Sequence, residues 1–321
     1  MKYSHTVVIC TRDRVAETLE FLENFSKTSS FELINVIIVE NSLSKENAQT
    51  LREIIEGETQ FSNVRVIQSL PGLARARNES FSLLSSNIVH FMDDDIGLPT
   101  NYFEYIDEMF SKYPQIAGLA PHIENTVNES SVCFRVMIEK TLGYLFRTEG
   151  KLSKSGRARW IPKSGKHYEV EWLPGCCMVY RTDAITNIKF DTGLENGPLG
   201  GYALGEDLEF SHRISKRAKL MGLGEISVEH KLAPNNRTNW IKMDEGIGRL
   251  RASLLAKFPS DVRLSRIFLS LLLEGAIDFI RIKITRKKTV SMNYVQFTRL
   301  RYFFMERTEP KLVALEEEDE G

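Results

Sequence analysis

Four short runs of apolar, largely β-branched residues, each closing on a polar cluster, restrict the folds open to this chain more than any other feature. They cover Thr6 to Cys10, Val36 to Glu40, Val64 to Gln68 and Ile88 to Met92. Runs with so little polar alternation predict strands buried on both faces, which is the signature of a parallel sheet. Between them, Arg14 to Lys27 carries Leu19, Leu22 and Phe25 at helical spacing, and Lys45 to Glu56 and Gly72 to Ser85 predict two further helices. Right-handed crossovers turn such a β-α-β-α series into an open doubly wound sheet, with its ligand crevice at the carboxyl ends of the strands. Three polar groups fall at those ends: Thr11-Arg12-Asp13, Glu40-Asn41-Ser42 and Asp93-Asp94-Asp95.

Further along, a helix is expected over Thr100 to Tyr113, and the polar, basic stretch at about 125–170 predicts a loop or variable insert. Glu171 to Arg181 is expected as a strand with Pro-Gly near its start. The Gly-rich run Gly193 to Gly205 opens G-E-D-L-E-F-S-H-R, a helix start with acidic residues where the helix dipole favours them. Ile226 to His230 predicts one more short strand. The expected organisation is therefore a catalytic α/β domain over 1–238, a helical extension over 239–308 and an acidic tail over 309–321. Leu264 to Ile284 is the most apolar long segment, yet Glu274, Asp278 and Arg281 interrupt it and argue against a membrane span. Two roles remain open for it: packing on the catalytic domain or in a homo-oligomer, and peripheral contact with a membrane surface aided by Arg286-Lys287-Lys288.

Composition removes several partner classes. Lys plus Arg number 42 against 43 Asp plus Glu among 321 residues, so no global charge favours nucleic acid, and any anion site must be local. The four cysteines, Cys10, Cys133, Cys176 and Cys177, have neither the density nor the spacing of a disulfide framework or a zinc site, which predicts a reducing compartment. The start M-K-Y-S-H-T-V-V-I-C-T-R lacks the long apolar core and small-residue cleavage site of a signal peptide, so a cytoplasmic protein is expected, at most peripheral to the inner membrane face.

Three adjacent carboxylates after an apolar strand need a counter-charge. On extended backbone, Asp93 and Asp95 turn toward the same point. Taken alone the triplet fits a solvated turn. At a strand end of an α/β sheet it also fits a hard divalent cation, which takes oxygen ligands and bridges carboxylates to substrate phosphates, so that a metal-diphosphate would be the missing partner. Arg12, Arg75 and Arg77 offer forks suited to phosphate oxygens, and surface helices also carry arginine for solubility alone. Glu40 and Asn41 can hydrogen-bond a base edge, or cap a turn. Glu206-Asp207 fits a plain helix start, and Asp207 is also a candidate general base. His230 becomes an additional metal ligand if Asp93 and Asp95 hold a cation.

The ordered series V-I-C-T-R-D-R, I-I-V-E-N-S, G-L-A-R-A-R-N, H-F-M-D-D-D, P-G-C-C-M-V-Y-R and G-E-D-L-E-F-S-H-R resembles the family 2 glycosyltransferases of the GT-A fold, over about residues 5 to 235. The resemblance implies an open, mixed but mostly parallel sheet with helices on both faces and a helical C-terminal extension. It also implies a nucleotide-sugar donor, commonly a UDP-sugar, a Mn2+ or Mg2+ ion, and transfer of one sugar with inversion to a glycan or glycolipid acceptor. Carried across, Thr11, Arg12, Glu40, Asn41, Arg75, Arg77, Asp93 and Asp94 would meet the donor nucleotide. Asp93, Asp95 and His230 would hold the metal, Gly175 and Glu206 would lie on the acceptor or sugar side, and Asp207 would take the acceptor proton. The second motif departs from the family's usual pair of acids, since it reads Glu40-Asn41. The Q-x-x-R-W motif of processive members is not evident, which points to single-sugar transfer in surface-polysaccharide or glycolipid synthesis.

Two rival readings stay open on the sequence. A haloacid-dehalogenase-like phosphatase also carries D-x-D after an apolar strand, though on an early strand and with the first Asp as nucleophile. A non-catalytic nucleotide-sugar-binding module would keep the sheet but need no Asp207.

Overall fold

The computed structural model describes residues 1–28, 30–125, 150–158, 161, 163–195, 203–231, 240–273 and 303–304. Most of the insert, the rest of the helical extension and the acidic tail lie outside the described residues. The chain divides into two compact units, Met1–Ser153 with Arg157–Arg237, and Lys154–Gly156 with Thr238–Gly321.

In the first unit the four apolar runs form β1 (His5–Thr11), β2 (Ile34–Glu40), β3 (Val64–Gln68) and β4 (Ile88–Met92). They pair in parallel in the order β3-β2-β1-β4, with the helices α1 (Val15–Phe25), α2 (Glu46–Glu56) and α3 (Leu73–Ser80) as crossovers. The alternation of side chains along a strand explains why these runs are mainly apolar, and the buried polar exception in β4, His90, is partnered by His5 and Tyr102. Val7 and Ile9 of β1 face one core with Phe21, Leu22 and Phe25 of α1, whereas Val8 faces a second core with Ala74 and Ala76 of α3. Fully burying one such Val, Ile or Phe contributes roughly 1.5–3 kcal/mol. A polar residue in these runs would lose that on whichever face it landed.

The second half of the sheet is laid out differently. After β4 come the two-residue strand β5 (Ile96–Gly97), α4 (Tyr102–Lys112), β6 (Ile116–Asn125), β7 (His167–Val170), β8 (Cys177–Arg181), the short helix α5 (Thr182–Ile185), α6 (Glu206–Ser215) and β9 (Lys219–His230). The sheet has nine strands among the described residues and continues β4-β8-β6-β9-β5, with β7 also on β9. Strand β8 runs antiparallel to both β4 and β6. The expected strand over Glu171 to Arg181 is therefore shorter: Pro174 and Gly175 sit in a turn closed by Cys177 N–H donating to the Pro174 carbonyl (3.1 Å). The end of the expected insert is not loop, because His167–Val170 adds to the sheet. The expected strand at Ile226 to His230 is the last part of a longer one.

The second unit contains α7 (Trp240–Lys257) and a helix over residues 264–273, here α8. Leu254, Val262, Ile267 and Phe303 are buried in it. The segment between the helices is tied down by Arg263 N–H donating to the Lys154 carbonyl (2.9 Å) and by Lys154 Nζ donating to the Ser260 carbonyl (2.9 Å). No helix among the described residues is long and apolar enough to cross a membrane.

Candidate active site

The triplet leaves the end of β4 with its side chains alternating. Asp93 and Asp95 turn to one side, where β9 delivers His230: the β5 to β9 pairing sets Ile96 opposite His230, and Lys231 N–H donates to the Asp95 carbonyl (2.9 Å). His230 Nε2 stands 3.1 Å from Asp95 Oδ1 and 4.0 Å from Asp93 Oδ2. One ligand atom from each of the three lies within 4.8 Å of the others. Asp94 turns the opposite way into the protein, accepting from Thr11 Oγ1 (2.7 Å) and from the Arg14 guanidinium. Arg14 also reaches Asp95 Oδ2 (3.3 Å), so one arginine spans two members of the triplet.

These contacts set the charges. Burial, reinforced by the neighbouring Asp95 and Asp94 carboxylates, pushes Asp93 up to about 7 against the pull of Arg77. Burial acts the same way on Asp95, but the hydrogen bond and charge of His230, together with Arg14, outweigh it and hold that carboxyl below its usual range. His230 is raised in return, chiefly by its hydrogen bond to Asp95. Two carboxylates and an imidazole converging on one point are a donor set that fits a divalent cation such as Mn2+, with Asp94 committed elsewhere.

A second acidic cluster forms on the other side of the Pro174–Cys177 turn. Gly205 adopts the left-handed region (φ 79°), which lets the chain turn into α6 and sets Glu206 and Asp207 in its first turn. Asp207 Oδ2 accepts Gly175 N–H (2.7 Å) and Oδ1 accepts Leu208 N–H (2.8 Å). Burial, then repulsion from Glu206, pushes Asp207 up to about 6, opposed by Arg77 and the two amides. A carboxyl raised in this way is a stronger base than an exposed aspartate and still ionised at neutral pH. Gly175 is needed for the approach, since a Cβ there would stand 3.0 Å from Asp207 Oδ2 and 3.2 Å from an Arg77 nitrogen.

Arg77 joins the two clusters. Its guanidinium donates to Glu206 Oε1 (2.8 Å) and to the Gly175 carbonyl (3.0 Å), lies 3.9 Å from Asp93 Oδ1, and rests over the Phe190 ring (5.3 Å to the centroid). It is buried, with its fork held by protein groups rather than open to a phosphate as expected. Cys176 completes the turn by accepting Asp93 N–H at its carbonyl (3.1 Å).

The other predicted residues are placed as follows. Glu40 is buried at the end of β2 and accepts Asp13 N–H, Ser42 N–H and Ser42 Oγ, which is the turn-holding role. Asn41 N–H donates to the Thr11 carbonyl (2.9 Å), tying the ends of β1 and β2 together. Arg12 is half-exposed beside Asp13 (3.8 Å), and Arg14 rather than Arg12 reaches the triplet. Arg75 stands in the first turn of α3, where its N–H donates to Glu195 Oε1 (3.0 Å). Sequence reasoning missed Arg14 and Glu195. The second arginine of T-R-D-R was a signal for Arg14, whereas Glu195 carried none. A cavity of about 630 Å3 opens beside Asp95 on the α1 side, lined also by Glu17, Glu20, Glu124 and Glu229, a carboxylate-rich wall ill-suited to a diphosphate.

The mixed, mostly parallel sheet with helical crossovers places the chain in the GT-A class of folds. Solved structures of that class superpose on the chain. GalNAc-T7 with UDP, GalNAc and Mn2+ aligns at 13% identity with a TM-score of 0.57, covering 81% of this chain and 51% of that one. S. aureus TarS 1-349 in complex with UDP-GlcNAc aligns at 16% identity and TM-score 0.53, covering 78% and 66%. The mannosyltransferase PcManGT from Pyrobaculum calidifontis, in complex with GDP-Man and Mn2+, aligns at 11% identity and TM-score 0.55, covering 97% and 77%. The chain thus spans about half the length of the first and about two-thirds of the second. No curated protein sequence matches it. Residues 6–168 match the model described as Glycosyl transferase family 2, and the chain belongs to that family.

Proposed function

We propose that the protein is a metal-dependent, inverting glycosyltransferase that moves a single sugar from a nucleoside-diphosphate sugar, a UDP-sugar first among candidates, to an acceptor hydroxyl of a glycan or glycolipid. The observation that carries this reading is the placement of the Asp93, Asp95 and His230 set and of Asp207 on either side of one turn. The ligands of the superposed structures, UDP with GalNAc in one, UDP-GlcNAc in another and GDP-Man in the third, support a nucleotide-sugar donor.

Asp93, Asp95 and His230 are the residues to hold Mn2+ or Mg2+, which when bound neutralises the developing charge on a diphosphate leaving group. Thr11 and Arg14 keep Asp94 turned away, so that Asp93 and Asp95 face the same point. Asp207, fixed by two backbone amides, accepts the proton of the acceptor hydroxyl as that oxygen attacks the anomeric carbon in line with the departing diphosphate. A single in-line displacement inverts the anomeric centre. Arg77 orients Glu206 and the Gly175 carbonyl and so holds Asp207 at its post.

The test is a screen of UDP- and GDP-sugars for thermal stabilisation of the protein with and without Mn2+. At a ligand concentration of about 100 Kd the native state gains about 2.7 kcal/mol, a clear rise in Tm. A manganese-dependent shift for at least one nucleotide-sugar is expected. Equal melting in all mixtures would remove the donor reading.

A further inference from the structure

The second unit carries an apolar surface on its own helix α8. Helix α8 buries Ile267, Ser270 and Leu271 and turns its other side to water, where Leu264 is 41% exposed, Phe268 45%, Leu269 41% and Leu272 51%. Leu264, Phe268 and Leu272 fall at i, i+4 and i+8, so they form one stripe along the helix, with Leu269 at its margin. Single exposed leucines are ordinary on a soluble protein; four large apolar groups on one side of a ten-residue helix mark an interaction surface. Arg263 and Arg266, both exposed, stand at the start of that stripe.

Charge selects the occupant. The sequence that follows α8 holds seven Lys or Arg and no Asp or Glu across residues 279–305, in a chain whose totals are 42 and 43. The helix itself supplies no opposite charge to that basic stretch, since residues 264–273 include no Asp or Glu. A membrane span is disfavoured by Glu274 and Asp278, which follow α8 directly. An apolar stripe on a helix that carries Arg266 and no acid within residues 264–273, followed by a cationic stretch, is the pattern that lies in the plane of an anionic bilayer, with apolar side chains at the acyl boundary and cations among lipid phosphates.

We propose that the exposed face of α8 is a docking surface for anionic phospholipid membranes, with Leu264, Phe268, Leu269 and Leu272 as the inserting groups. The proposal stands independently of the sugar-transfer reading. Full-length protein is sedimented with vesicles of phosphatidylcholine alone and of phosphatidylcholine with phosphatidylglycerol. Binding is expected to the anionic vesicles, to weaken at about 1 M salt, where charges are screened within roughly 3 Å, and to fall about tenfold or more in the double variant Phe268→Ser/Leu272→Ser. Because both side chains are about half exposed, that variant should stay folded, which its melting curve checks, and Arg263→Gln/Arg266→Gln should weaken the preference for anionic lipid while leaving the apolar contribution in place. Equal binding to both vesicle types, or undiminished binding by the serine variant, overturns the proposal. So does a concentration-dependent dimer that the serine variant abolishes in protein that binds no vesicles, which would make a second copy the occupant.

Discussion

The two acidic clusters of the first unit meet the same problem, several carboxylates confined in a buried place, and resolve it differently. At Asp93 to Asp95 the counter-charges are Arg14 and His230, side chains brought from α1 and β9, and His230 shares its contact with a site that fits a cation. At Glu206 and Asp207 the partners are the buried Arg77 and two backbone amides, which are fixed by the fold. The first arrangement lets one positive charge be exchanged for another. The second holds Asp207 on fixed amides with its proton affinity raised to about 6, while Asp93, raised to about 7, feels both arrangements through Arg77. Similar residue types thus acquire different partners from the elements that deliver them.

Asp207→Asn should break this contrast most sharply. It keeps the shape of the second cluster and removes its basicity, so transfer should drop by about 10²- to 10⁴-fold while donor-dependent thermal stabilisation persists. Transfer at the parent rate in a direct sugar-transfer assay would end the assignment. Arg77→Met tests the fixed cluster as structure. Breaking a buried ion pair by removing one partner costs about 3–5 kcal/mol, to be read as a lower urea midpoint, and adding Glu206→Gln should recover part of the loss. A surface-like change below about 1 kcal/mol would mean that Arg77 does not tie the clusters together.

Asp95→Ala addresses the exchangeable cluster alone. It should abolish the manganese dependence of nucleotide binding and leave the basic limb of the mechanism in place; unchanged affinity with and without manganese would refute the metal role. The smallest effect is expected from pH. With Asp207 raised to about 6, its ionised, proton-accepting form dominates above that value. Transfer should therefore fall as pH drops below about 6, approaching tenfold per unit, and a profile flat down to pH 4.5 would place the base elsewhere.

The parallel half of the sheet was legible because burial on both faces leaves mainly apolar runs, as at Val36–Val39 and, apart from the buried His90, at Ile88–Met92. The other half was legible in part: β8 and the end of β9 were expected, β6 and β7 were not. Strand β6 reads I-A-G-L-A-P-H-I-E-N, where Gly118 and Pro121 hide the strand signal; Gly118 is where the Tyr180 ring and Leu220 come closest, leaving no room for a Cβ. Within the site, the period of two along extended backbone set Asp93 and Asp95 on one side, whereas Asp94, which the resemblance set at the donor nucleotide, turns into the protein. Its partners, Thr11 and Arg14, lie about 80 residues upstream, and no local pattern encodes that distance. Arg77 illustrates the converse: the residue type was right for phosphate, but burial at Glu206 and Phe190 spent its donors inside the protein. Local spacing reports direction, whereas partnership depends on what the rest of the chain delivers.

The turn at Pro174–Cys177 has a consequence for heat and for evolution. Gly175 gives its N–H to Asp207 and its carbonyl to Arg77, and the next carbonyl, of Cys176, receives Asp93 N–H. The separation between the acid that would take a proton and the acids that would carry a cation is thus measured out in consecutive peptide units, whose Cα spacing of about 3.8 Å does not breathe. Warming detunes that interval only once it loosens the start of α6, which carries Asp207. One residue inserted between Gly175 and Cys176 would move the two halves of the chemistry apart by a full step.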